Sequence, residues 1–117
     1  MSKRRHSDRA ARRRHAPVLA ALGDETRLAL IVKLSSGAPR SISSLAEGSG
    51  MSRQAVTKHL RVLEHAGLVR GLRVGRQRLF EPDPEPLDEV RRYLDGVSRA
   101  WDEALARLKS FVESDRR

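Results

Sequence analysis

Five polar side chains recur along one side of the segment Ser52-Arg-Gln-Ala-Val-Thr-Lys-His-Leu-Arg-Val-Leu: Arg53, Gln54, Thr57, Lys58 and Arg61. At helical spacing they avoid the aliphatic stripe of Val56, Leu60 and Leu63. Their types match nucleic-acid edges. Arginine offers paired donors to guanine, glutamine a donor and an acceptor to adenine, and threonine can donate, accept or touch a thymine methyl. Ser52, Lys58 and Arg61 suit phosphate oxygens, contacts that position a protein without specifying sequence. The bland alternative is a solvated polar helix face. His59 lies at the edge of the apolar stripe. It suits a base contact, a packed histidine or a pH-sensitive group, and is carried with Arg53, Gln54 and Thr57 as a base-reading candidate.

Such residues need elements that hold them. Gly48-Ser49-Gly50 reads as a tight turn between a short helix and the longer one over Arg53 to Ala66, which Gly67 ends with a left-handed cap. The short helix follows Ile42, with Ser43 or Ser44 as its cap, Ser44 and Glu47 as a capping box, and Leu45 and Ala46 inward. Leu68–Val74 and Gln77–Glu81 read as two strands joined by Gly75-Arg76, with Leu79 and Phe80 anchoring the return strand. This hairpin carries Arg70, Arg73, Arg76 and Arg78. If Leu79 packs inward, Arg78 points outward, and Arg73, Arg76 and Arg78 become candidates for DNA backbone or a narrow minor groove. Two helices, a glycine turn and a basic hairpin make a winged helix-turn-helix, assigned to residues 17–82.

Upstream, Asp24 can cap a helix from Glu25 to Ser35 that Leu28, Ile31, Val32 and Leu34 bury. Arg9–Leu22 could form a first helix interrupted near Pro17, or Pro17 could open a shorter one over Val18–Leu22; Gly23 stops it either way. Residues 1–16 read as a flexible basic tail, with 1 to about 8 disordered. Its runs Lys3-Arg4-Arg5 and Arg12-Arg13-Arg14 would add DNA affinity through counterion release without selecting sequence.

Beyond Pro82, Pro84 and Pro86 one long helix runs from about Leu87 to Glu113, within a C-terminal region 83–117. Leu87, Val90, Leu94, Val97, Trp101, Ala104, Leu108 and Phe111 are spaced 3, 4, 3, 4, 3, 4, 3, a heptad seam weakened only at Ala104. A domain of this size cannot bury such a seam alone. A dimer through this helix, helped by Leu19 and Leu22 of the first, is the economical expectation. The fold class is mainly α with a small β-hairpin, dimeric through N- and C-terminal helices.

Composition narrows the classes. The 117 residues fit one domain, and the net charge of +9 favours polyanions. Residues 1–16 hold seven basic and one acidic side chain, and residues 40–80 eight and two, each a surplus of +6. Residues 81–117 hold seven and ten, as a protein-contacting segment would. No cysteine is present, which excludes disulfides and thiolate metal sites. Aromatic residues at 3% leave no stacking platform for single strands. No apolar run reaches membrane-spanning length and no signal peptide is visible, so the expected compartment is the cytoplasm with no membrane partner. His6, His15, His59 and His65 form no i, i+4 pair, and no phosphate loop or nucleophile set appears. Neither metal, cofactor nor catalysis is expected.

The residues also resemble a family. Leu19-Ala-Ala-Leu-Gly-Asp-Glu-Thr-Arg-Leu, Leu45-Ala-Glu and Met51 to Val69 look like the ArsR-type winged-helix repressors, the run from His59 to Val69 being the most specific part. The resemblance spans about Val18 to Phe111. It implies a homodimer joined by first and last helices, the Ser52-initiated helix in the major groove, and base contacts by Arg53, Gln54, Thr57 and His59. Metal-sensing members place cysteines on the short helix before the turn, or acid and histidine ligands on the last helix. Here the first place reads Ser43-Ser44-Leu45-Ala46-Glu47 and the last helix lacks histidine, which resembles the metal-independent branch. A small-molecule inducer is compatible with this but is not identified by any residue.

The expected function is a homodimeric repressor on double-stranded DNA with an inverted-repeat operator. The rival within DNA binding is a non-specific architectural protein, and the rival outside it is a protein-interaction module using the seam.

Overall fold

Gly23 and Asp24 stop one helix and start another, and the rest of the chain is organised around that joint. The computed structural model describes residues 2–115, with side chains from Ser7 onward. The elements are α1 (Ser2–Leu22), α2 (Glu25–Ser35), β1 (Arg40–Ser41), α3 (Ile42–Ala46), α4 (Arg53–His65), β2 (Val69–Val74), β3 (Gln77–Pro82) and α5 (Pro84–Asp115). The Asp24 carboxylate accepts from the Arg27 amide at 3.0 Å and caps α2. Arg27 reaches back, its Nε donating to the Ala21 carbonyl at 2.6 Å, and so caps the end of α1.

Leu34, Leu45, Val56, Leu60 and Leu63 fill the centre, joined by Val18 and Ala21 of α1, Leu30 of α2, Phe80 of β3 and Val90 of α5. The stripe on α4 is the one its spacing predicts. On α2 the buried side is Leu30 and Leu34, while Leu28 and Val32 are 48% and 68% exposed. A helix apolar on nearly every side does not reveal which side is inner, and the expectation of burial at Leu28 and Val32 is corrected.

The helix-turn-helix is built from caps. Ser41 caps α3 by accepting from the Ser44 amide at 3.1 Å, so the cap is Ser41 rather than Ser43 or Ser44, and Glu47 closes the helix instead of boxing its start. Between α3 and α4, Ser49 donates to the Ala46 carbonyl at 2.7 Å and accepts from the Met51 amide at 3.0 Å. Gly48 and Gly50 turn the chain with φ of 73° and 76°, values that L side chains rarely adopt. Ser52 caps α4 through the Ala55 amide at 3.1 Å. At the other end Gly67 has φ 79° and donates to Glu64, while Leu68 donates to Leu63, both at 2.9 Å, a Schellman closure.

The sheet has three antiparallel strands in the order β1-β3-β2, where sequence alone indicates two. Arg40 and Ser41 pair with Phe80 and Leu79. A two-residue strand carries no periodicity to read. Gly75 at φ 63° with Arg76 beside it makes the two-residue loop a type II′ turn favours. Gly71 lies opposite Phe80 and Arg73 opposite Arg78, so all four share the face that Phe80 turns to the core. Leu79 points the other way, with Leu72.

Both end helices are longer than the sequence suggests. α1 is continuous through Pro17, and residues 2–16, expected as a flexible tail, form its first four turns. Arginine and alanine are strong helix formers, and the far end is held by Val18 and Ala21. Met1, Arg116 and Arg117 lie outside the described residues, and for Lys3-Arg4-Arg5 only the helical backbone is described. α5 starts at Pro84 because prolines fit a first turn, whose N–H groups have no intrahelical acceptor.

Candidate nucleic-acid interface

Ser52, Arg53, Gln54, Thr57, Lys58 and Arg61 lie together on one open groove with Ile42 and Ser43. The geometry follows from α4: its inner residues lock into the core, so the alternate positions must face out. Arg53, Gln54, Lys58 and Arg61 are exposed, and none of them is held by a carboxylate within 4.0 Å among the described residues. Thr57 donates its hydroxyl proton to the Arg53 carbonyl at 2.8 Å. That leaves its oxygen able to accept, on a residue that is half-buried in the wall of the groove. The Ser52 oxygen is engaged as a cap, with its own proton free to donate. Ser43 is a member that sequence reasoning missed. It is exposed on the first turn of α3, and only the Ser41 cap reveals that placement.

His59 does not join this group. Its Nδ1 lies 4.0 Å from the Asp24 carboxylate, packed between α4 and the start of α2. The Arg27 amide, followed by the nearby Arg27 and His59 charges, holds that carboxyl below the ordinary aspartate range. Three residues on from the buried Val56, His59 is half-buried at the edge of the apolar stripe.

The wing separates its four arginines. Arg70 donates to Glu81 at 2.8 Å on the outer face. Arg78 crosses Gly71, lies 5.2 Å over the Phe80 ring and donates to Glu64 in the last turn of α4 at 3.0 Å. Arg78 thus folds against the body, because Phe80 rather than Leu79 is the inward anchor. Arg73, beside Arg78 on the same face, and Arg76 at the tip are exposed without a carboxylate partner among the described residues.

The dimer candidates divide as well. Val90 is 2% exposed and belongs to the chain's own core, which corrects its place on the seam. Leu19 and Leu22 are half-buried against that core. Val97 is half-buried, and Leu87, Leu94, Trp101, Leu108 and Phe111 are exposed, Trp101 at 67% and Phe111 at 71%. Leu105 and Val112 are exposed too, so the open stripe is wider than a strict heptad seam. Among the described residues, no group of three histidine, cysteine or carboxylate side chains could hold a metal ion. Among the described residues no helix is long and apolar enough to cross a membrane.

Comparison with known proteins agrees with this architecture. Residues 22–71 match the family model described as a helix-turn-helix domain. The chain is 37% identical over 95 residues to the HTH-type transcriptional regulator Rv2034 of Mycobacterium tuberculosis, covering 81% of this chain and 85% of that one. Among solved structures it is similar to an ArsR-like transcriptional regulator from Rhodococcus, with TM-score 0.81, 38% identity, and coverage of 90% of this chain and 95% of the other. It is also similar to the homodimeric winged helix-turn-helix DNA-binding domain Mb0332 from Mycobacterium bovis, with TM-score 0.62, 28% identity, and coverage of 84% and 87%.

Proposed function

Since the chain belongs to the ArsR-like family of winged helix-turn-helix transcriptional regulators, we propose that it acts as a homodimeric repressor that reads an inverted-repeat operator. The observation that carries the proposal is the row Arg53, Gln54, Thr57, Lys58 and Arg61, aligned on one uncompensated face at the start of a rigid helix. Inserted N-terminus first into a major groove, α4 brings Arg53 and Gln54 to base edges and the Thr57 methyl to a thymine methyl. Ser43, Ser52, Lys58 and Arg61 hold phosphates on either side and set the register. Arg73 and Arg76 bring the wing to the neighbouring backbone or minor groove.

A second copy closes the exposed stripe of α5, and the two-fold axis makes the operator an inverted repeat. Half-site centres then lie about 34 Å apart, one helical turn. Bound across a promoter, the dimer blocks access to it. The homodimeric relative from Mycobacterium bovis supports that assembly.

Selection of duplexes from a random pool at about 150 mM salt, where exposed charges are strongly screened, tests the reading. An enriched inverted repeat is expected. Equal recovery of all sequences would overturn it in favour of an architectural protein that coats DNA without selection.

A further inference from the structure

We propose that the amino-terminal half of α1 is a second DNA-contacting element, a stiff basic rod that grips phosphates outside the site read by α4. The inference rests on the DNA reading above and adds a surface to it. Residues 1–16 carry seven basic side chains and one acidic, and residues 2–16 belong to one unbroken helix. Arg9, Arg13 and Arg14, with Ala10, surround a shallow concavity on its surface. Together with Arg12 they are exposed, and none has a carboxylate oxygen within 4.0 Å among the described residues.

The company these arginines keep points to the ligand. Arg70, Arg78, Arg91 and Arg92 are neutralised by Glu81, Glu64 and Asp88, whereas those of α1 are left open like Arg53, Arg61, Arg73 and Arg76 of the face and wing read above as DNA-facing. On α1, Arg9 and Arg13 stand one turn apart with like charge, an arrangement that weakens a helix in isolation. A polyanion removes that repulsion, and duplex DNA is the polyanion this protein already meets. The base of the rod is fixed to the winged body. His15 is 8% exposed and stacks against Tyr93 of α5 with ring centres 4.7 Å apart, and Val18 and Ala21 are buried. Thirteen residues, 2–14, span about 20 Å at 1.5 Å each, roughly six base pairs of duplex at 3.4 Å. Phosphates occur in every sequence, so the rod lengthens the footprint and raises affinity without selecting a site.

The test uses the full chain with Arg9, Arg12, Arg13 and Arg14 all changed to alanine, which keeps helix propensity high. Binding is measured to random-sequence duplexes of about 20 and about 40 base pairs over about 50 to 300 mM salt. On the long duplex the variant is expected to bind more weakly, with a logarithmic salt slope shallower by about 3 to 4. On the short duplex the difference should shrink, and the corresponding tetra-lysine variant should restore the slope. An unchanged slope on the long duplex would overturn the proposal. So would a variant that sediments as monomer where the parent is a dimer, since the arginines would then serve the subunit interface. These readouts need no operator. Absence of an enriched sequence in pool selection would sink the repressor reading and leave this one standing.

Discussion

α4 and the outer half of α5 are both amphipathic helices with one side left open, and they leave opposite sides open. α4 buries Val56, Leu60 and Leu63 and exposes arginine, glutamine and lysine. α5 buries Val90 near its start, then exposes Trp101, Leu105, Leu108, Phe111 and Val112 over about its last four turns. A polar open side is stable in water and waits for a charged partner. An apolar open side of this length is unstable in water and calls for a protein surface. In the proposed assembly the same device, an amphipathic stripe, would divide labour between reading DNA and joining subunits.

The contrast breaks first at α5. Changing Leu108 and Phe111 together to aspartate should leave the winged body folded and remove about 3–6 kcal/mol of association free energy, taking about 1.5–3 kcal/mol per buried side chain. Sedimentation and circular dichroism check the two halves of that statement; a variant still dimeric would place the interface elsewhere. Next comes the closed side of α4, where Leu60→Ala should cost about 2–5 kcal/mol of stability in denaturant unfolding, since Leu60 is 1% exposed. The open side of α4 is gentler. Arg53→Ala and Gln54→Ala should each lose about 1–3 kcal/mol of discrimination between preferred and altered duplexes, whereas Lys58→Ala should weaken all duplexes alike. Titrations against matched and mismatched DNA separate the two behaviours. Smallest is the cap beneath them. The Asp24 carboxyl is held below its ordinary value of 3.8 chiefly by the Arg27 amide. Its stabilisation is therefore complete well above pH 3.8 and fades as pH falls through the lower folded value. Asp24→Asn should lower the melting temperature slightly at neutral pH and converge with the parent in strong acid; a constant gap across pH would deny the carboxylate that role.

Much of α4 was legible because three independent signals agree there: the Ser52 cap, the apolar stripe and the Gly67 stop. Asp24 and the glycine turn were legible for the same reason. Arg78 was not, because Leu79 and Phe80 are adjacent apolar residues and strand parity leaves either as the inward one; a single step turns every side chain over. His59 was ambiguous at the border of a stripe, where a small rotation decides between core and groove. The helical state of residues 2–16 was hidden by their charge, which suggests disorder even where arginine and alanine favour helix and the far end is anchored. Val90 fits a heptad count yet lies in the core, since a helix crossing from body to overhang changes partner along one stripe.

The joint at Gly23 and Asp24 also has a mechanical side. Arg27 clasps the last carbonyls of α1 from beyond the break, and Asp24 grips α2 from before it while standing 4.0 Å from His59 in the middle of α4. The connection is two residues long and stitched from both directions, so it leaves little slack. One short joint therefore ties α1, α2 and the middle of α4 together, with the exposed arginines of α1 on one side of it and the exposed face of α4 on the other.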